Sequence, residues 1–405
     1  MDSCVARQPI FDDKLRIYGY ELLFRSTSAS VGFDGIDGST ATSETIVNSF
    51  HEIGIERVTG GKRAFVNFTE KLLLQGVATI LPNRILVVEV LENVEPTQEI
   101  IKACERLRGG GYLVALDDFI LDPKYFPLIA VADIIKVDFM STPIDKIATF
   151  AKGMSRKPVI LLAEKLETQE TFEKAKELGF KLFQGYFFSK PVIVENAEPK
   201  LTPSKVNSLR LIRLSNDINV DFSKIAAIIK QDVALSYRLL RVVNSAFFGL
   251  KYTVKNIRQA LAILGMDEVK KWITLISLAV VADSKPDELV TMSLTRARMM
   301  EYFAPLVGMA KQSDDMFMVG LLSLMDALMD LPIEEIAKRT NIAEHITAPL
   351  ITGEGLYADI LSIITLFERS EWDECFKKAE PYNLDPDQIS KTYIEAIEWS
   401  STLGR

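Results

Sequence analysis

The first half of the chain alternates between short apolar runs and longer amphipathic stretches. The apolar runs are YGYELLF, RAFVNF, RILVVEV, YLVALDDF, DIIKVDF and PVILLAE. Between them, ATSETIVNSFHEIG, TQEIIKACERLRGGG, PIDKIATFAKGMS and TQETFEKAKELGF carry apolar residues at helical spacing. Strands of a parallel sheet are buried on both faces and are joined by helices. The pattern therefore predicts an α/β fold, in which glycines at 109–111 and at 179 end two helices.

The two ends of this first half predict further features. The runs VARQPIF and YGYELLF are joined by the polar stretch DDKLRI, which predicts a hairpin at the start. The segment VENAEPKLTPSKVN carries Pro199 and Pro203 among polar residues, so we place a domain boundary there. Beyond it, strand patterns give way to helical spacing. We expect a barrel-forming domain over residues 1–197 and an all-helical domain over residues 198–405.

Composition and charge exclude several classes of protein. At 405 residues, with 48% hydrophobic and 25% charged residues, the chain has the material for two globular domains. A net charge of −8 argues against direct nucleic-acid binding, which needs a basic surface. Cys4, Cys104 and Cys375 lie far apart without CxxC spacing, so we expect no disulfide framework and a cytoplasmic location. The stretch WITLISLAVVA is too short for a membrane span.

Histidine scarcity narrows the chemistry further. The chain contains only His51 and His345, which leaves no set of histidines for a zinc site. Serine–histidine catalysis would have to use one of these two residues.

Polar residues recur at or near the ends of the apolar runs. The acidic and amide members of this set are Glu21, Asn67, Glu89, Asp117, Asp118, Asp138 and Glu164, with Lys136 among them. The carboxyl ends of parallel barrel strands meet at one mouth, where oxygen ligands can hold hard cations. The alternative is that these acids are helix caps and surface charges, but acids inside apolar strands are costly without partners. The pattern favours metal-assisted phosphate chemistry.

The order of the motifs resembles a known family. In sequence they read QPI at 8–10, GYELLFR at 19–25, VNF at 66–68, VEVLE at 88–92, LDDF at 116–119, IKVD at 135–138, AEKLET at 163–168 and FQGYFFSKP at 183–191. Together they resemble the EAL domain, the cyclic di-GMP phosphodiesterase module. The resemblance implies a modified TIM-like barrel with two Mg²⁺ or Mn²⁺ ions that activate water for attack on a phosphodiester, which yields pGpG.

The resemblance also implies roles for individual residues. The implied metal ligands are Glu21, Asn67, Glu89, Asp117, Asp118 and Asp138. The implied catalytic residues are Lys136, which positions the attacking water, and Glu164. The implied substrate-binding residues are Gln8, Arg25 and Gln184, with Arg25 against a phosphate. Glu92 corresponds to the glutamate that steadies the loop after the paired aspartates.

Two positions depart from the family pattern. The triad reads Glu21-Leu22-Leu23, a change beside a ligand and not at one. After Asp117 and Asp118, the chain reads FILDPKYFPL where the family has a loop resembling Gly-Thr-Gly-Tyr-Ser-Ser-Leu. In the family, that loop couples dimerisation to metal and substrate binding. Its replacement leads us to expect weak hydrolysis or none.

The second half resembles the HDOD domain, a helical relative of HD phosphohydrolases that generally lacks their metal ligands. The motifs are QDVALSYRLLRVVNSAFFG and IRQALAILG. Asp326 and Asp330, four residues apart, are interpreted as a solvated or capping pair. A cluster of late methionines is interpreted as core, with a binding groove as the alternative.

The whole chain thus resembles bacterial EAL-HDOD signalling proteins. We expect cyclic di-GMP as the ligand of the barrel and an unidentified protein partner for the HDOD domain. A homodimer is compatible with this arrangement. The alternative is a catalytically inactive interaction scaffold that no longer binds nucleotide.

Overall fold

The structure is a computed structural model with side chains. It describes residues 3–26, 54–117, 123–190, 209–213, 222–231, 239–240, 243, 254, 256–257, 259–265, 269, 273, 285–340 and 342–403. The chain divides into two compact units. We call Met1–Phe188 with Thr365–Glu398 the barrel unit, and Ser189–Ile364 with Trp399–Arg405 the helical unit.

Within the described residues of the barrel unit, the strands form a closed eight-stranded barrel in the order β1 to β8. They are β1 (Ser3–Asp12), β2 (Ile17–Ser26), β3 (Arg63–Phe68), β4 (Leu86–Val90), β5 (Leu113–Leu116), β6 (Ile134–Asp138), β7 (Ile160–Glu164) and β8 (Leu182–Gln184). β1 runs antiparallel to both of its neighbours, β2 and β8, whereas the other neighbouring strands are parallel. This confirms the predicted opening hairpin and the modified TIM-like barrel.

Helices follow the strands as the pattern predicted. In the first half they are α1 (Ile55–Thr59), α2 (Glu70–Gln75), α3 (Gln98–Gly109), α4 (Phe126–Ile129), α5 (Ile144–Met154) and α6 (Gln169–Glu177). Thr97 caps α3 by accepting a hydrogen bond from the Ile100 amide, and Thr168 forms a capping box with Thr171 at α6. The predicted helix in ATSETIVNSFHEIG falls almost wholly outside the described residues.

The described residues of the second half form helices joined by turns, with no strand among them, which confirms the predicted all-helical domain. Its helices are α7 (Phe222–Gln231), α8 (Asp287–Leu306), α9 (Ser313–Leu322), α10 (Met325–Met329), α11 (Ile333–Thr340), α12 (Glu344–Thr352), α13 (Leu356–Glu368), α14 (Trp372–Ala379) and α15 (Pro386–Leu403). Short 3₁₀ turns occur at Val77–Ile80, Pro123–Tyr125, Phe187–Ser189, Ala310–Gln312 and Glu380–Tyr382.

The barrel interior begins with an apolar layer. One side chain from each of seven strands forms it: Ile10, Phe65, Val87, Ala115, Ile134, Leu162 and Leu182. On β2 the corresponding position is Gly19, where a Cβ atom would lie 2.7 Å from the Arg63 carbonyl oxygen and 3.0 Å from the Phe65 ring. Glycine is required there because Phe65 and the backbone of β3 fill the space.

The barrel unit includes a late part of the chain. We call Thr365–Glu398 the carboxyl-terminal segment. The thiol of Cys4 donates a hydrogen bond to the carbonyl oxygen of Pro386 over 3.3 Å, and the amide of Val5 donates to Ser390 Oγ over 3.3 Å. The sequence pattern predicts this segment as part of the helical domain, and the structure places it with the barrel instead. The predicted boundary at 197/198 lies outside the described residues and stays a prediction.

The helical unit has a closely packed pair of helices. A Cβ atom on Gly320 of α9 would lie 2.6 Å from Ala297 Cα and from the Arg296 carbonyl oxygen of α8, so the two backbones touch. The late methionines pack into this unit: Met292, Met299, Met300, Met316, Met318, Met325 and Met329 are buried, and Met309 is half-buried. This favours the core interpretation of the methionine cluster over the groove.

Asp330 fits the expected solvated or capping pair, whereas Asp326 does not. Asp326 is half-buried, and burial raises its pKa. Asp330 adopts a left-handed conformation at the end of α10 and pairs with Lys285 over 2.6 Å. Asp330 is therefore a capping residue, while Asp326 is part of the packed interior.

No single helix among the described residues is long and apolar enough to cross a membrane. Taken together, the helices α12 and α13 are long and apolar enough by length and composition alone, but they are bent by 52° relative to each other.

Candidate functional site

A layer of polar side chains lies directly above the apolar layer of the barrel. On each strand it is the residue two positions nearer the barrel mouth, so it points the same way as the core residue below it. We call the set the polar ring: Gln8, Glu21, Asn67, Glu89, Asp117, Lys136, Glu164 and Gln184. Every strand contributes one member, and all eight were candidate site residues in the sequence.

Strand register explains why residues so distant in sequence share one level. Asn67 pairs directly with Glu89, and Gln8 with Glu21. At every second pair of neighbouring strands, a ring residue does not pair with the next ring residue but with the residue two positions before or after it. Between β2 and β3, for example, Glu21 pairs with Phe65, which lies two residues before Asn67. Four such offsets, at β2–β3, β4–β5, β6–β7 and β8–β1, give a stagger of eight residues round the barrel. That is the stagger of a TIM barrel.

Lys136 lies at the centre of the ring. Its Nζ atom is 2.6 Å from Asp117 Oδ1, 2.8 Å from Glu89 Oε1, 2.9 Å from Glu164 Oε1 and 3.3 Å from Glu21 Oε2. The Lys136 side chain is 1% exposed and that of Glu89 is fully buried. One ammonium therefore faces four carboxylates away from water, which concentrates negative charge at the barrel mouth.

Gln184 ties the last strand to the opening hairpin. Its Nε2 atom donates to Glu21 Oε2 over 2.7 Å and to Gln8 Oε1 over 3.1 Å. Glu21 Oε2 thus accepts from both Gln184 and Lys136, while its second oxygen is left for other partners.

Burial shifts the protonation of the ring. Burial raises the pKa of Glu164 to about 8, against the opposing effect of Lys136, and raises the pKa of Glu89 well above its usual range. Burial alone would lower the pKa of Lys136, but its carboxylate neighbours outweigh burial and raise it. Lys136 therefore stays charged, and without a metal ion Glu164 holds its proton at neutral pH.

The donor set suits hard cations. The buried oxygens without a hydrogen-bond partner include Asn67 Oδ1, Glu89 Oε2, Glu164 Oε2 and Gln184 Oε1. Carboxylate and amide oxygens are the ligands that Mg²⁺ and Mn²⁺ prefer. In the described residues no three acidic, histidine or cysteine side chains already enclose a cation position, and the Lys136 ammonium lies at the centre of the carboxylates. The chemistry of the residues therefore fits divalent metal ions.

Asp138 does not join the ring. It lies two residues beyond Lys136 on β6, where its carboxylate accepts from Lys165 Nζ over 2.6 Å and from the amides of Met140 and Ser141 over 2.6 and 3.0 Å. Burial opposes these contacts, yet together they lower the pKa of Asp138 below its usual range. Its predicted role as a metal ligand stays a prediction, and these three donors would have to yield to a cation.

Arg25 also lies apart from the ring. Its Nη2 atom is 2.6 Å from Asp373 Oδ1, and its guanidinium carbon lies 5.6 Å from the centroid of the Phe376 ring. Both partners belong to α14 of the carboxyl-terminal segment. The remaining predicted metal ligand, Asp118, lies outside the described residues.

The loop after β5 has an anchor that sequence reasoning missed. Tyr125 donates its hydroxyl hydrogen to the carbonyl oxygen of Glu92 over 2.9 Å, and Lys124 pairs with Glu95 over 3.1 Å. The Glu92 side chain itself is exposed, so the described contact to the loop uses its backbone. A tyrosine gives no recognisable signal for such a contact. The contact of Lys165 with Asp138 was also missed. Lys165 has a left-handed φ of 55°, a backbone conformation that the sequence does not show.

Comparison with known proteins identifies both halves of the chain. Residues 62–191 match the EAL domain, and residues 201–335 match the HDOD domain. The cyclic di-GMP phosphodiesterase CdgJ of Vibrio cholerae serotype O1 is 33% identical, over 99% of this chain and 93% of that protein. This chain belongs to the EAL-HDOD family. YuxH of Bacillus subtilis is 34% identical over 98% of both chains.

Solved EAL structures resemble the EAL domain of this chain. BlrP1 of Klebsiella pneumoniae, in its calcium/cyclic di-GMP complex, is 22% identical, with a TM-score of 0.40, over 47% of this chain and 56% of that chain. A standalone EAL protein of Vibrio cholerae O395 bound to c-di-GMP is 23% identical, with a TM-score of 0.37, over 47% of this chain and 92% of that chain.

Proposed function

We propose that the EAL domain is a metal-dependent phosphodiesterase that binds cyclic di-GMP and hydrolyses it to pGpG. The observation that carries this proposal is the polar ring, in which three buried carboxylates and the half-buried Asp117 share one ammonium, with further oxygens unpaired at the barrel mouth. Its relative CdgJ carries the name of a cyclic di-GMP phosphodiesterase and has nearly the same length.

Individual ring residues have separable tasks in this proposal. Glu21, Asn67, Glu89, Asp117 and Asp118 would hold Mg²⁺ or Mn²⁺. Bound there, the ions supply an activated water and offset charge on the phosphodiester. Lys136 contributes a permanent positive charge beside the reacting phosphate. Gln184 fixes the orientation of Glu21 through the 2.7 Å hydrogen bond.

Glu164 is suited to proton transfer. Its Oε2 atom is buried without a hydrogen-bond partner, while its Oε1 atom is held by Lys136 over 2.9 Å, so one oxygen is oriented and the other is open to a proton. Proton transfer at Glu164 Oε2 is therefore the task we assign to this residue.

The replaced loop FILDPKYFPL leads us to propose a slow enzyme. The described part of this loop is anchored by Tyr125 on the backbone of Glu92, a contact that ties it to the end of β4.

We also propose a cytoplasmic location. The protein partner of the HDOD domain and a homodimer stay predictions.

The test is product formation. Purified protein is incubated with cyclic di-GMP in Mg²⁺ or Mn²⁺, and pGpG is quantified by chromatography. We expect Glu21→Gln to reduce turnover at least about a hundredfold, because even changes behind metal ligands cost about 10- to 100-fold. Glu105→Gln is the matched control, since Glu105 is exposed on α3 far along the chain from any ring residue. It should leave turnover unchanged.

Binding distinguishes the competing functions. Calorimetric titration with cyclic di-GMP in Ca²⁺ is run beside the product assay. Binding without pGpG would make the protein a nucleotide sensor and would overturn the enzymatic proposal. Neither binding nor product would leave the alternative, an interaction scaffold whose ring is a relic.

A further inference from the structure

Arg25 lies at the mouth of the barrel, on the face of β2 that carries Glu21. The pairing between β1 and β2 runs without interruption from Gln8 and Glu21 to Cys4 and Arg25, so alternate residues keep one orientation. Arg25 is four residues beyond Glu21, about 13 Å along the strand. The pairing of β2 with β3 ends at Leu22, which leaves this end of the hairpin projecting past the ring.

The carboxyl-terminal segment covers the same end of the hairpin. It contacts three neighbouring strands or their ends: Tyr186 after β8 donates to the Glu368 carbonyl oxygen over 3.1 Å, Cys4 of β1 donates to Pro386, and Arg25 of β2 pairs with Asp373. Cys4 and Cys375 are fully buried. The segment thus forms a packed wall along one side of the barrel mouth.

The wall holds the Arg25 guanidinium in a defined way. Asp373 Oδ1 accepts one hydrogen bond from Nη2 over 2.6 Å, and the Phe376 ring lies against the guanidinium at 5.6 Å. A guanidinium has five N–H donors, so these described contacts occupy one donor and one face. The Arg25 side chain is 33% exposed, which leaves it accessible to a ligand in the mouth.

We propose that Asp373 is a positioning residue for Arg25, and that the carboxyl-terminal segment thereby completes the phosphate-binding part of the nucleotide site. The ligand class is a phosphodiester, whose oxygens accept hydrogen bonds from a guanidinium edge. This inference rests on the proposed function of the EAL domain.

The exposure of Asp373 indicates that its ion pair with Arg25 contributes little to the stability of the fold. The Asp373 side chain is 88% exposed, and exposed ion pairs contribute little to stability. A pre-oriented arginine, in contrast, loses less side-chain freedom when an anion binds. Loss of Asp373 should therefore weaken nucleotide binding while the protein stays folded.

The experiment compares Asp373→Asn with Glu374→Gln in the full chain. Glu374 is the adjacent exposed acid on α14, so both variants remove one negative charge from the same helix. We measure kcat and KM for cyclic di-GMP in Mn²⁺, the Kd in Ca²⁺, and the thermal unfolding temperature. We expect Asp373→Asn to raise KM and Kd about fivefold with kcat and unfolding unchanged. Glu374→Gln should match the wild type.

A double-mutant cycle tests whether Asp373 acts through Arg25. In the Arg25→Ala background, Asp373→Asn should have no further effect on KM or Kd. A Kd lowered by Asp373→Asn would instead mean that Asp373 competes with the phosphate, which would overturn the inference. An unchanged Kd, or effects that add in the cycle, would overturn it as well. If the wild type binds no nucleotide, the proposed function fails first.

Discussion

At the scale of single residues, Lys136 decides how the polar ring is held together. A buried charge is costly unless it is paired, and removing one partner leaves the others uncompensated. Four carboxylates within 3.3 Å keep this ammonium charged despite its burial. The same arrangement leaves more carboxyl groups than one cation can neutralise. Burial first, and then these neighbouring carboxyl groups, raise the pKa values of Glu89 and Glu164.

The raised pKa of Glu164 makes stability depend on pH. The ordinary value is 4.5 and the folded value is about 8, so the folded protein binds more protons between these two pH values. Stability of the metal-free protein contributed by this group therefore falls as pH rises from about 5 to 8. We expect the unfolding temperature of the wild type, relative to Glu164→Gln, to fall over this range in EDTA. Each kcal/mol corresponds to about 2–4 °C.

Divalent ions should reverse this trend. Because metal binding favours deprotonated ligands, the stabilisation by Mn²⁺ should be larger at pH 8.5 than at pH 6. Differential scanning fluorimetry at both pH values provides the measurement. A difference between wild type and Glu164→Gln that does not vary with pH would show that Glu164 is ionised throughout.

At the scale of elements, the backbone that follows β7 and the backbone that follows β8 lie in close contact, which fixes the ends of both strands. The Leu166 amide donates to the Gln184 carbonyl oxygen over 3.0 Å, and the Phe187 amide donates to the Leu166 carbonyl oxygen over 3.0 Å. Gly185 lies between them with φ of 139°, and a Cβ atom there would be 2.2 Å from the Leu166 carbonyl oxygen. Only glycine allows this approach, which sets the level of Gln184 in the ring.

Substitution of Gly185 should therefore be costly. We expect Gly185→Ala to destabilise the protein by about 3 kcal/mol, from the left-handed backbone and the backbone contact together. Gly153→Ala is the matched control: Gly153 lies exposed in α5, where no atom approaches within 4 Å, and the change should stabilise by up to about 1 kcal/mol. Urea unfolding measures both. Equal stability of the two variants would mean that the crossing can relax.

At the scale of the whole molecule, the last part of the chain returns to the first strand. The carboxyl-terminal segment buries Cys4 on β1 and its own Cys375, and burial raises the pKa of both thiols to about 12. Arg57 of α1 pairs with Glu398 near the end of the segment. The barrel unit is therefore built from both ends of the chain.

This arrangement predicts that the barrel depends on the segment. A fragment of residues 1–197 would expose Cys4 and lose the partner of the Val5 amide, Ser390. We expect it to be less soluble than the full chain and to unfold at a lower temperature. Thermal unfolding followed by circular dichroism measures this. A fragment that unfolds at the same temperature as the full chain would show that the carboxyl-terminal segment does not stabilise the barrel.

Periodicity was sufficient for the elements and for six residues of the polar ring, while Gln8 and Gln184 came from the family resemblance. The alternation of apolar strands and helices predicted the barrel because burial on both faces demands such runs. Each of these six residues interrupts an apolar strand with a group that is costly to bury, and this cost made it visible in the sequence. The same signal also selected Asp138, and the family resemblance added Arg25; the structure pairs these two with Lys165 and Asp373 instead of the ring.

The sequence by itself determined the two kinds of fold, the strand order along the chain and the residues that line the barrel mouth, because all of these are local patterns of burial. The tertiary structure alone decided that Lys136 lies among four carboxylates, and that the carboxyl-terminal segment joins the barrel. The contact from Cys4 to Pro386 spans 382 residues. An amphipathic helix shows which face it buries, but the partner of that face depends on how the whole chain packs.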